Sequence, residues 1–274
     1  MQGRHMVAAS WKELLARVRP RDHLLQLYED DNTLSCRVSH YLREGLDRGE
    51  AVVAIATPAH REAFERRLKE EQVNIERAVD QGQLIVLDAE ETLSQFMVDG
   101  RPDSERFQAK IGTLLDRAAE KDSRPGLRAY GEMVDLLWRD GLLAAAVHLE
   151  QLWHRLLRRR ATPLLCAYRI DIFDESFREE SFQAVLAIHS HLMPVGHGDQ
   201  LEKAVRRAME ELLGRDQVEA LAPLIAAAQY PRVTLCPAEA AVIWLARALP
   251  RRSEEILARA RFHHAALCAG TEVG

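Results

Sequence analysis

Residues Leu127 to Gly141 read LRAYGEMVDLLWRDG. A short apolar run, Leu127, Ala129 and Tyr130, ends at Gly131-Glu132, and Met133, Leu136 and Leu137 then recur at helical spacing. That change of period predicts a strand running into a helix, with a flexible glycine and a carboxylate at the junction. In an open α/β sheet, ligands bind beyond the carboxyl ends of the strands, so Glu132 stands where recognition or chemistry is concentrated. Packing explains a carboxylate beside a glycine hinge poorly. On this reading Glu132→Ala leaves folding nearly intact while removing any response to a ligand.

Working outward, five apolar runs read as buried strands: His23–Tyr28, Ala51–Ala56, Leu84–Leu87, Leu127–Tyr130 and Leu164–Ile170. Nearly continuous hydrophobicity, without alternation, is what a parallel sheet covered on both faces requires. Amphipathic segments separate the runs: Thr33–Asp47, Ala59–Glu71, Asp103–Glu120 and Leu142–Arg160. Alternating strand and helix predicts a doubly wound α/β layer with a mostly parallel sheet. Gly100-Arg-Pro-Asp103 reads as a loop, with Asp103 capping the helix that follows. Beyond Asp174–Ile188, which reads as helix, Met193-Pro-Val-Gly-His-Gly198 is a break. Four helices follow, Leu201–Leu213, Gln217–Ala228, Ala238–Leu249 and Ser253–Leu267, with a brief strand signal at Val233–Leu235. The expected organisation is an N-terminal helix or tail over 1–19, an α/β domain over 20–196 and an all-α appendage over 197–274.

Composition narrows the function. Of 274 residues, 47% are hydrophobic and 29% charged, which supports a sizeable core and argues against disorder. The net charge of −5 falls before the break: 27 basic against 32 acidic residues up to Gly196, and 10 against 10 beyond it. Neither part has the basic excess of a nucleic-acid binder, and Arg155–Arg160 suits a helix C-terminus through its dipole. Cys36, Cys166, Cys236 and Cys268 form no CxxC pair and read as buried reduced thiols of a cytoplasmic protein. No apolar run is long enough to cross a membrane.

The chemistry-bearing residues gather at predicted strand ends. A phosphate loop needs successive glycines, a lysine and a hydroxyl. The loop after the first strand is instead Glu29-Asp30-Asp31-Asn32-Thr33. Its carboxylates repel a triphosphate, and Asp31 reads as a helix-start carboxylate favoured by the macrodipole. Tyr28, Glu29, Thr57, His60, Asp88, Glu132 and Tyr168 fall at or just past carboxyl ends, an aromatic-walled pocket with a few polar hooks. Trp138, six residues after Glu132, reads as a further wall, while Glu150 and Trp153 share one helix face. His189, His191 and His197 lie close together, but with no CxxC or HExxH no metal centre is expected. His263-His264 read as surface residues. No GxSxG or activated cysteine suggests a nucleophilic enzyme, and no cofactor is implied.

These pieces occur in a recognisable order: HLLQLYED from His23, GEAVVAIATPAH from Gly49 to His60, GEMVDLLW from Gly131, LEQLW from Leu149 and LLCAY from Leu164. The set resembles the MEDS family, the sensory domain of methanogen and methylotroph regulators, over residues 20–196. The resemblance implies a fold like the RecA and KaiC ATPases used for sensing rather than hydrolysis. It also implies small organic ligands, hydrocarbon derivatives among them, coupling to a partner, and a histidine at His23. About twenty residues precede the first strand, too few for a helix-turn-helix, so the output is expected in the helical part or a separate regulatory protein. Three readings result: a non-catalytic cytoplasmic sensor with its ligand at His23, Tyr28, Glu29, Thr57, His60, Glu132, Trp138 and Tyr168; a ligand-free adaptor whose apolar helix at Ala238–Leu249 forms a homodimer or partner surface; and an enzyme using Glu132 as general base, which requires its pKa to be raised.

Overall fold

The computed structural model describes residues 11–120, 124–178, 180–193, 198–227, 235 and 237–269. The strands are β1 (His23–Leu27), β2 (Ala51–Ala56), β3 (Leu84–Asp88), β4 (Met97–Val98), β5 (Arg101–Pro102), β6 (Leu127–Gly131), β7 (Leu164–Tyr168) and β8 (His191–Leu192). The helices of the first half are α1 (Trp11–Ala16), α2 (Asp31–Asp47), α3 (Pro58–Glu70), α4 (Ile75–Asp80), α5 (Ala89–Ser94), α6 (Ser104–Phe107) and α7 (Thr113–Glu120), with a π-helical turn at Gln108–Gly112 between the last two. Then come α8 (Met133–Arg139), α9 (Leu143–Arg159), α10 (Glu175–Arg178), α11 (Glu180–Ile188), α12 (Gly198–Leu213), α13 (Arg215–Ala227), α14 (Pro237–Ala248) and α15 (Pro250–Ala269).

Six strands form one parallel sheet in the order β3-β2-β6-β7-β1-β8, the doubly wound α/β architecture that the apolar runs predict. Strand side chains alternate between faces. Leu25, Leu27, Val53, Ile55, Ala129 and Cys166 point toward α5, α7, α8, α9 and α11. Leu24, Val52, Ala54, Tyr130, Leu165 and Ala167 point toward α1 to α4. Both faces are dry, which is why these strands show no hydrophobic alternation. The first of these apolar clusters continues without interruption into Val205, Met209, Val242, Ile256 and Ala260 of the C-terminal helices.

The structure differs from the sequence reading at definite places. Gly100-Arg-Pro-Asp103 is not a plain loop: β4 and β5 pair antiparallel around Asp99 and Gly100, at φ 49° and 76°. Two successive positive φ values are the signature of a hairpin turn of type I′, for which Asp-Gly is a preferred pair. Asp103 does cap the next helix, accepting from Arg106 N at 2.8 Å. A sixth strand, β8, pairs with Leu24 and Leu25 of β1, and β7 ends at Tyr168, where Ile170 N turns back to Tyr168 O. Ala238, Ala241, Val242, Ile243 and Leu245 of α14 are buried within the chain. His263 is also inside rather than on the surface, its Nε2 3.0 Å from Glu211. Cys36 is exposed, Cys166 buried and Cys268 half-buried; Cys236, His197 and most of the Val233–Leu235 stretch lie outside the described residues. Among the described residues no helix is long and apolar enough to cross a membrane.

One interior charge has no counterpart in the sequence reading. Arg128 sits in the middle of β6, buried, and its guanidinium bonds Glu50, the Tyr41 carbonyl at 2.8 Å and the face of the Tyr41 ring. It passes over Gly45 of α2 so closely that a Cβ there would meet Arg128 Cδ at 2.5 Å and Val52 Cγ2 at 2.9 Å.

Candidate functional site

The winding of the chain defines a crevice. From β2 it leaves through α3 toward β3 on one face; from β6, the neighbouring strand, it leaves through α8 and α9 toward β7 on the other. Such a reversal opens the sheet edge at the carboxyl ends of two adjacent strands, the place where doubly wound sheets bind their ligands. Thr57 follows β2 and Glu132 follows β6, one on each bank of that crevice.

Glu132 closes it. The residue is 1% exposed and stands at the N-cap of α8, yet its side chain caps nothing there. Its carboxylate turns across the crevice: Oε1 accepts from Thr57 N, and Oε2 lies 2.7 Å from His60 Nδ1 and accepts from Tyr130 OH at 2.7 Å. Gly131 is no hinge: it is a buried strand residue paired with both neighbours, outside the positive-φ region. Thr57 and Pro58 place His60 in the first turn of α3, where Pro favours the helix start. The other imidazole nitrogen, Nε2, is 3.5 Å from Asp31. Burial works against the charged imidazole, but Glu132 and Asp31 outweigh it and hold the His60 pKa above its ordinary value.

Beside this bridge, Tyr28 OH donates to Asp135 Oδ2 at 3.0 Å, and Asp135 Oδ1 accepts from Arg169 N at 2.8 Å. Burial raises the Asp135 pKa, the Arg169 amide and Tyr28 hydroxyl opposing it. Burial and the neighbouring carboxylates Asp135 and Glu132 also raise the Tyr28 phenol. Asp31 stands in the first turn of α2, the helix-start place read for it, and also faces His60 and Arg169; the N-cap is Asp30, which accepts from Thr33 N at 2.7 Å. The N-terminus of α2, which a phosphate would need, is thus occupied by the chain's own carboxylate.

Of the eight residues read as ligand-binding, Tyr28, Thr57, His60 and Glu132 meet in this network. Glu29 is exposed, and its pKa is raised by desolvation and by Asp171 nearby. Trp138, Tyr168 and His23 are on the opposite face of the sheet. Trp138 packs edge-on against Tyr168 and Phe182, with centroids 5.6 Å away in each case. Tyr168 OH donates to Glu150 Oε1 at 2.8 Å. Asp88 serves as a helix cap, accepting from Glu91 N at 2.8 Å. Sequence reasoning missed Tyr130 and Asp135; the signal available was their spacing around Glu132, at the strand end and one helical turn on. A separate, largely apolar groove of about 430 Å³ lies among α12, α13 and α14, with Val205, Met209, Val218 and Ile225 in its walls.

A parallel α/β domain with a buried carboxylate bridge at a strand-end crossover, and with the start of α2 capped by acid, is the class this fold and site define. Residues 22–190 match the family model MEDS, the MEthanogen/methylotroph, DcmR Sensory domain, and the chain belongs to that family. No curated protein matches it.

Proposed function

We propose that the chain is a non-catalytic, cytoplasmic sensor that binds a small organic molecule at the β2–β6 crevice and relays the event to a regulatory protein through its C-terminal helices. What carries this reading is the Glu132 bridge. A single carboxylate ties the ends of β2 and β6 to the start of α3, so a guest that bonds Thr57 N–H or His60 competes with it directly. Freeing Glu132 loosens α8, whose Asp135 holds the Arg169 amide in the loop after β7. That loop continues to Asp171 and Asp174, both bonded by Arg261 of α15. The guest thereby shifts a population of helix positions rather than creating a new one. The sensory nature of the family supports the same conclusion.

Thermal denaturation of wild type, Glu132→Gln and Val218→Trp against a panel of small halogenated and oxygenated hydrocarbons tests it. The expected result is a compound that raises the midpoint of wild type and of Val218→Trp but not of Glu132→Gln. The reverse pattern would put the guest in the helical groove and overturn the assignment.

One observation favours a second reading, the ligand-free adaptor: Glu132 is 1% exposed, with both oxygens already engaged. Native mass spectrometry of the chain taken from its own host separates the two. A retained small molecule supports the sensor, and a bound protein without one supports the adaptor.

A further inference from the structure

On the face of the sheet opposite Glu132, four side chains from distant parts of the sequence converge. His23 opens β1, Glu150 comes from α9, Cys166 from the middle of β7, and His189 follows α11. His23 Nε2 is 3.3 Å from Cys166 Sγ and 3.3 Å from Glu150 Oε2; Glu150 Oε2 is 3.7 Å from both Cys166 Sγ and His189 Nε2. The four candidate donor atoms all lie within 4.8 Å of one another, and all four residues are buried, His23 at 2% exposure and the others at 0%.

We propose that His23, Glu150, Cys166 and His189 form a site for one divalent transition-metal ion, with zinc the ion that best suits a two-nitrogen, one-sulfur, one-oxygen set. Four arguments meet here. The first is geometric. Tetrahedral zinc with bonds of ordinary length separates its donor atoms by about 3.3–3.6 Å; four of the six donor pairs here stand at 3.3–3.7 Å and the other two within 4.8 Å.

The second argument is the tautomer of His189. Its Nδ1 lies 2.8 Å from the Val185 carbonyl, which only accepts, so Nδ1 carries the proton and Nε2 presents a lone pair to the cluster. That Nε2 is buried and has no hydrogen-bond partner among the described residues. A buried acceptor without a donor is costly, and a cation satisfies it together with the other three.

The third is charge. A thiolate, a carboxylate and two neutral imidazoles around a divalent cation sum to zero, which suits a fully buried place. The fourth is the outer support that metal ligands usually have. Tyr168 OH holds Glu150 Oε1 at 2.8 Å and Val185 O orients His189. His23 is fixed through its backbone alone, Ser190 Oγ accepting from His23 N at 2.9 Å and Ser190 N donating to His23 O at 2.7 Å, while His23 Nδ1 has no hydrogen-bond partner among the described residues.

With four protein donors the site is closed, so its role is to bind β1, β7, α9 and the end of α11 together. The inference is independent of the Glu132 crevice, and it departs from the sequence reading, which expected no metal.

The test is metal content of the full chain, purified without chelator and, separately, refolded with Zn(II) or Co(II). Wild type is expected to retain one ion per chain by inductively coupled plasma mass spectrometry. With Co(II) it should show a thiolate-to-cobalt charge-transfer band in the near ultraviolet, absent in Cys166→Ser. His189→Gln and Glu150→Gln should bind at least tenfold more weakly. Should these variants misfold, wild type alone decides, because chelator must lower its thermal midpoint and added Zn(II) restore it. Wild type that takes up neither ion and melts identically with and without chelator overturns the proposal. So does Cys166→Ser that keeps the full metal content, since the ion would then sit elsewhere.

Discussion

At the scale of single residues, the place of Glu132 between a strand and a helix is legible in the sequence, and its surroundings are not. Its position at a strand end follows from the period change in LRAYGEMVDLLW. What one sequence does not carry is that three donors from β2, α3 and β6 converge on it. The expectation that Glu132→Ala folds nearly as well as wild type therefore fails on physical grounds. Alanine leaves Thr57 N–H, His60 and Tyr130 OH facing nothing, at roughly 1–3 kcal/mol for each buried orphan. The expected loss in urea denaturation is about 3 kcal/mol for Glu132→Ala, and less for Glu132→Gln, which keeps an acceptor in place. His60 gives a pH signature. Its folded pKa lies above the unfolded value of about 6.5, so its contribution is complete below that pH and is lost as pH rises through the folded value. The difference in thermal midpoint between wild type and His60→Gln should thus be greatest in mild acid and shrink on the alkaline side of neutrality. A difference that grows with pH would contradict the Asp31–His60–Glu132 clamp.

Among the elements, legibility tracked length. Five strands were readable because a parallel sheet dry on both faces needs unbroken apolar runs, and AVVAIA and LLCAY have no other use. β8 has two residues and β4–β5 two each, too short for any period. Only the Asp99-Gly100 pair announced the hairpin. Arg128 hid inside an apolar strand because its partners, Glu50 and the Tyr41 carbonyl, come from elsewhere in the chain. The His23–Glu150–Cys166–His189 group was equally invisible, since no two of its members are near enough in sequence to form a motif. Gly45 yields a prediction of definite sign. In a helix, alanine is normally favoured over glycine by about 1 kcal/mol. Here the added Cβ would strike Val52 and an arginine already fixed at both ends of its guanidinium. Gly45→Ala should destabilise by about 1–3 kcal/mol in equilibrium unfolding; a gain in stability would show that Arg128 moves freely.

For the molecule as a whole, side-chain contacts cross the sequence break near Met193. Arg261 of α15 reaches Asp171 and Asp174 and lies over the Phe173 ring, and Arg247 of α14 bonds Gln183 of α11. Arg261→Gln should leave amide exchange in β2, β6 and β7 unchanged while speeding exchange in α15, because half-exposed ion pairs stabilise little but fix a register. Equal protection in both proteins would remove the relay from the proposed function.

The apolar cluster beneath β7 that runs on into α12, α14 and α15 has a practical outcome. Calorimetry should record a single endotherm for the entire polypeptide, and a fragment stopped at Met193 would carry a greasy wall with nothing laid over it. Such a fragment should clump in the test tube, however well its own strands pair.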